Sequence, residues 1–158
     1  MEEKMAAKNK AILQEKLRLT QALLIKQARH DFWMFCKLMN NKFYKESRTY
    51  LKNICDTLQA LYESRIVKLH DNDEWHIVDD ISIYDNYKIC KNLQLNCPPG
   101  FGKSYTVQLF AQWCLGRDIH NEIITASYNE KLSERFGQAV RNGIKEDRDW
   151  ETDRKSVV

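Results

Sequence analysis

The chain has 158 residues and carries 25 Lys and Arg against 22 Asp and Glu, a formal charge of +3 in a length able to bury a core. Five glycines and two prolines stand where average usage gives roughly 11 and 8, which excludes collagen-like, linker-like and turn-dense all-β chains. No run of 18 apolar residues offers a membrane-spanning helix, and the polar start Met1-Glu2-Glu3-Lys4 is not expected to act as a secretory leader. The five cysteines (Cys36, Cys55, Cys90, Cys97, Cys114) form no CxxC pair, so reduced and mostly buried thiols are expected rather than a zinc site or a disulfide framework. Charge is uneven. Residues 1–30 hold seven basic and three acidic side chains, but these alternate with leucines at helical spacing and read as a solvated helix face.

In chain order, residues 6–29 predict one long helix, with Ile12, Leu13, Leu17, Leu24 and Ala28 at three- and four-residue steps. Asp31 is placed to cap a second, short helix carrying Phe32, Trp33, Phe35, Cys36, Leu38 and Met39. A third runs from Tyr50 to Tyr62. Residues 66–69 and 75–78 flank the turn-prone Asp71-Asn72-Asp73 and predict a β-hairpin. Asn92 to Cys97 alternates apolar and polar and predicts a strand. The helix from Lys103 to Leu115 is expected to end on a left-handed Gly116. Residues 122–126 predict another short strand. Ser127 answered by Glu130 matches a capping box, opening a helix with Leu132, Phe136, Ala139, Val140 and Ile144 on one face. Strand, helix, strand, helix in close succession predicts an α/β fold with a parallel sheet.

The backbone-breaking residues concentrate at one place, Cys97-Pro98-Pro99-Gly100-Phe101-Gly102-Lys103-Ser104, between a predicted strand and a predicted helix. Gly-Lys-Ser opening a helix after a strand is the core of a phosphate-binding loop. Such a loop needs successive N–H groups converging on phosphate oxygens, on a backbone of unusual dihedrals and little bulk. Gly100 and Gly102 supply that freedom. Pro98 and Pro99 have no N–H to give and hold the chain extended. Lys103 is expected to reach the β/γ-phosphates and Ser104 to bind Mg²⁺, with the helix aiming its positive end at the anion. The usual first glycine of the loop is Cys97 here.

Three strings together, NLQLNCPPGFGKS, LFAQWCLGR (109–117) and IITASYNEKLSERFGQAVR (123–141), resemble the large subunit of tailed-phage terminases, as does His30-Asp31-Phe32-Trp33. The resemblance spans about residues 29–148. It implies a P-loop NTPase domain, its parallel sheet incomplete, preceded by a helical N-terminal segment. The implied division is residues 1–65 as the helical segment and 66–152 as the start of the ATPase domain. It further implies an ATP-driven motor that packages viral DNA, with a nuclease domain beyond these residues. ATP and Mg²⁺ would be the cofactors, Gly100, Phe101, Gly102, Lys103, Ser104 and Tyr105 the ATP-binding residues, Lys103 the catalytic one and Ser104 the Mg²⁺ ligand. Double-stranded viral DNA, portal protein and the small terminase subunit would be partners, with a homo-oligomeric ring, no membrane, and the host cell cytoplasm as the place of work. Many relatives carry a basic residue where this chain has Gly100. Arg141 is a candidate phosphate or neighbouring-subunit contact, weighed against a surface salt bridge.

Hydrolysis also needs acids that hold Mg²⁺ and orient water, on a later strand. Nothing after Ser104 has that form; Trp75-His76-Ile77-Val78-Asp79-Asp80 imitates it but precedes the loop and reads as a solvated hairpin exit. The acidic run Asp71 to Asp85 with His70 and His76 lacks metal-ligand spacing. The end Asp153 to Val158 can be written GAT CGG AAG AGC GTC GTG before a stop codon, which resembles read-through into a sequencing adapter, so these six residues are left out of fold reasoning. The expected activity is therefore nucleotide binding without turnover. A helicase, a helicase loader or a non-catalytic binding fragment are the other readings.

Overall fold

The computed structural model describes the backbone of residues 2–69 and 74–155 and the side chains of residue 5 and residues 8–69 and 74–145. The first helix, α1 (Glu2–His30), is rich in Ala, Leu, Lys, Glu and Gln, all strong helix formers, and ends on Arg29 and His30, where positive charge suits the helix dipole. Asp31 interrupts it and caps α2 (Phe32–Met39): its Oδ1 accepts from the Met34 N–H at 2.9 Å. Gln59 of α3 (Thr49–Tyr62) clamps this joint, its Oε1 accepting from the Phe32 N–H and its Nε2 donating to the His30 carbonyl, both at 2.8 Å. A chain break between two helices is thus satisfied by one side-chain amide. After α3, Ser64 takes the left-handed conformation (φ 58°), and Arg65 N–H donates to the Ala60 carbonyl at 2.7 Å, a Schellman ending built on serine.

The expected hairpin is present. Strand β1 (Ile66–Leu69) pairs antiparallel with β2 (Trp75–Ile77), Val67 opposite His76; the Asp71–Asp73 turn lies outside the described residues. A third strand, β3 (Tyr87–Ile89), pairs antiparallel with the other edge of β1, giving the order β2-β1-β3. Helix α4 (Lys103–Arg117) then runs through the core, and α5 (Glu130–Lys155) packs on it, Gln112 Nε2 donating to the Ala139 carbonyl at 3.2 Å. The core joins Phe32, Trp33 and Cys36 of α2, Leu51 and Cys55 of α3, and Leu109 and Trp113 of α4. Trp113 Nε1 donates to the Ala28 carbonyl at 3.0 Å and ties α1 to α4.

The parallel sheet expected from the sequence does not form. The sheet of the described residues is three-stranded and antiparallel, so the fold is helix-rich and not that of a P-loop NTPase. Residues 92–97 and 122–126 carry no ladder. In the first of them the alternation is satisfied differently: Leu93 and Leu95 pack on the helical core while Asn92, Gln94 and Asn96 face solvent. An alternating segment laid on helices gives the same pattern as a strand. Three local expectations also change. Gly116 is an interior residue of α4, which ends at Arg117 with Asp118 as its cap. The expected Ser127 capping box gives way to Asn129, whose Oδ1 accepts from the Lys131 N–H at 3.0 Å, while Ser127 Oγ accepts from the Asn129 N–H. On α1, Ala28 is buried but Leu13 and Leu17 are 68% and 59% exposed. No described helix is long and apolar enough to cross a membrane.

Candidate functional site

The glycine-containing loop remains intact as a local structure. Pro98 and Pro99 are exposed, and the Phe101 N–H reaches back to the Pro98 carbonyl at 3.4 Å. Gly100 and Gly102 both take positive φ, 82° and 81°, a region costly to any residue with a β-carbon. Gly102 is the N-cap of α4 and has no side chain to offer, and no side chain caps this end among the described residues. The first backbone bond into the helix is from Thr106 N–H to the Gly102 carbonyl at 2.9 Å. The N–H groups ahead of it point out of the helix end, where an anion is favoured by both hydrogen bonding and the dipole. Lys103 and Ser104 are exposed at that end, and Tyr105 is half-buried. Gly100 and Phe101 thus lie in the loop, Gly102 caps the helix, and Lys103, Ser104 and Tyr105 form its first turn.

Behind the turn is an aromatic wall that sequence reasoning did not find. The Phe43 ring lies against Gly102: a β-carbon there would sit 2.4 Å from Phe43 Cζ. Phe43 meets Tyr105 edge-on at 5.7 Å between centroids, and Tyr50 packs on Phe101 at 5.2 Å. The Tyr44 hydroxyl bonds Thr106 Oγ1 at 2.9 Å within the core, and burial pushes the Tyr44 phenol far above its ordinary range. Over the face of Phe43, 4.7 Å from its centroid, lies the Arg48 guanidinium. The 40–50 segment is some fifty residues from the loop in sequence, and its local composition of aromatic and basic residues is the one signal that could have marked it.

Fit to the expected cofactors differs between them. The turn fits a polyphosphate: two left-handed glycines, an uncapped helix start, an exposed Lys103 and an exposed Ser104 hydroxyl. For Mg²⁺ the fit stops at Ser104, because no group of three or more His, Cys, Asp or Glu able to hold a metal exists among the described residues. Asp79 is fully exposed, 4.0 Å from Arg65. Asp80 accepts from both the N–H and hydroxyl of Ser82, which hold its carboxyl below the usual range and mark it as a turn residue. Arg141 is exposed on α5. All five cysteines are free thiols; Cys36 and Cys55 are buried with their sulfurs 3.8 Å apart, and burial drives the Cys36 thiol upward and away from reactivity. The chemistry that an exposed helix start of this kind favours is hydrogen bonding to an anion. Compared with family models, curated proteins and solved structures, the chain matches none.

Proposed function

We propose that the Gly100–Ser104 turn binds the phosphates of ATP, with Lys103 as the phosphate-facing cation and Ser104 as a ligand of the accompanying Mg²⁺. One observation carries this reading: two glycines at φ near +80° stand immediately ahead of Lys103-Ser104 at the uncapped opening of a 15-residue helix. The order of motifs, from His30-Asp31-Phe32-Trp33 through the loop to residues 123–141, supports placing the chain in the ATPase motor of a tailed-phage terminase large subunit. Its partners in that setting would be double-stranded DNA, portal and small subunit. In this reading the turn binds nucleotide, and the acids that hydrolysis would need are not among the residues it names.

Titration calorimetry of the full chain with Mg·ATP tests the site. Saturable binding that Lys103→Ala weakens at least tenfold is expected, together with phosphate release no faster than in buffer. Equal affinity of the two proteins would overturn the assignment. The packaging role is tested in a phage carrying the gene, where Lys103→Ala is expected to leave assembled but DNA-free capsids; filled capsids would remove it.

A further inference from the structure

Helix α1 meets the core at its carboxy-terminal end. Ala28 is buried and its carbonyl accepts from Trp113, whereas every residue from Lys8 to Leu24 is exposed. At 1.5 Å per residue that is about 25 Å of helix without a packed face. Helices owe most of their stability to the packing of an apolar face, so a bare stretch of this length is weakly held. The stretch nevertheless has such a face. Leu13, Leu17 and Leu24, all exposed, belong to a row of Ala6, Lys10, Leu13, Leu17, Thr20 and Leu24. Its alternating steps of four and three residues are those of a coiled-coil seam.

That row is its own mirror image about Glu15. Ala6 and Leu24 lie nine residues to either side of it, Lys10 and Thr20 five, Leu13 and Leu17 two. An antiparallel copy of the helix, centred on the same residue, therefore meets it leucine to leucine in the middle and leucine to alanine at each end, a large side chain facing a small one. Glu15 itself lies on the far side of the helix, 3.9 Å from Arg18, so its two copies do not meet. Charge selects the same direction. Glu2 and Glu3 open the helix and Lys26 and Arg29 close it, so antiparallel pairing brings ends of opposite charge together. Parallel pairing would set Lys8, Lys10, Lys16 and Lys26 each beside its own copy. A second apolar row, Met5, Ile12 and Leu19, lacks the symmetry, since Ile12 reflects onto Arg18. We propose that α1 is a self-association surface: two copies of the chain pair antiparallel through the Ala6–Leu24 row as a two-fold dimer. Lys10 facing Thr20 puts a polar layer in the seam, which costs stability and fixes the register. The proposal is independent of the phosphate reading of the Gly100–Ser104 turn.

Sedimentation equilibrium of the full chain over a range of concentrations tests it, with three variants. Leu17→Glu puts a charge in the seam of both copies and is expected to weaken the dimer about a hundredfold. Ile12→Glu, on the other row, should leave the dimer constant as it is. Thr20→Glu loses only a bond to the Lys16 carbonyl within its own helix and sets a carboxylate opposite Lys10 of the second copy. It occurs twice per dimer, so association should tighten about threefold; in a parallel pair it would face its own copy and weaken it. Thermal melts at low concentration should match the wild type for all three, since none of these residues touches the core. A wild type that stays monomeric at every concentration overturns the proposal. So does a dimer that Leu17→Glu leaves intact, which would place the contact elsewhere, residues 119–128 included. Equal losses in Ile12→Glu and Leu17→Glu would reject the row, weakening by Thr20→Glu would reject the direction, and an early melt of Leu17→Glu would show that the chain covers this face itself.

Discussion

Gly100 and Gly102 share a backbone conformation but not a neighbourhood. At φ 82°, a β-carbon on Gly100 meets nothing within 4 Å; at φ 81°, one on Gly102 would overlap the edge of the Phe43 ring, 2.4 Å from Cζ and 2.7 Å from Cε1. The first substitution costs the left-handed penalty alone, about 1 kcal/mol. The second adds displacement of a ring packed among Tyr44, Tyr105 and Arg48, raising the cost to about 3 kcal/mol. Urea unfolding of Gly100→Ala and Gly102→Ala should therefore separate the two midpoints, with Gly102→Ala the lower; coincident midpoints would mean the ring yields freely. At this scale the sequence was informative where chemistry is local. Asp31 as a cap and the glycines of the turn follow from neighbours three residues away. The ring that Gly102 must accommodate comes from Phe43, which no local rule connects to it.

The elements were legible in proportion to how locally each is decided. Helices α2, α3 and α4 bury apolar faces that recur at three- and four-residue steps, and the β1–β2 pair is joined by a short connection. Strand β3 pairs with β1 from twenty residues away, after the left-handed Asn86, and its three residues carry too little pattern to announce it. The joint between α3, β1 and the end of α4 is likewise invisible in sequence, and it is where pH should act. Burial raises the Glu63 carboxyl, but hydrogen bonds from Arg65, Gln59 and Arg117 outweigh it and hold the group below its ordinary 4.5. A depressed folded value means the contribution is complete above about pH 4.5 and is lost as pH falls through the folded value. Arg117 also stacks on Trp113 and Tyr62, so the network reaches the core. Melting curves from pH 6 to pH 3 should fall steeply for the wild type and more gently for Glu63→Gln, which lacks the titrating group. Parallel curves would place the acid sensitivity elsewhere.

Across the whole molecule, the mismatch between the expected parallel sheet and the observed helical core has a physical consequence on the surface. Sheet formation is decided by partners distant in sequence, and alternation in residues 92–97 does not say whether the apolar side meets a strand or a helix. Leu93 and Leu95 find the helices. The corresponding residues after α4 find nothing: Ile119, Ile124 and Tyr128 are 83%, 94% and 96% exposed, and Ile123 is 42% exposed, within one stretch of ten residues. Scattered exposed apolar side chains are ordinary, but several in one extended, unpaired segment of β-branched and aromatic residues form an edge ready to pair with another chain. The segment carries Glu122 at one end and Glu130 at the other, with no charge between them to oppose stacking. Self-association that grows with protein concentration is the expected result in sedimentation velocity. Placing a lysine in the middle, Ile124→Lys, touches no described hydrogen bond or core contact, so it should leave the melting temperature unchanged while shifting the distribution toward monomer. A wild type that sediments as a single monomeric species at every concentration would show that this segment is covered in solution, and an Ile124→Lys protein that melts early would show by what it is covered: the chain's own core.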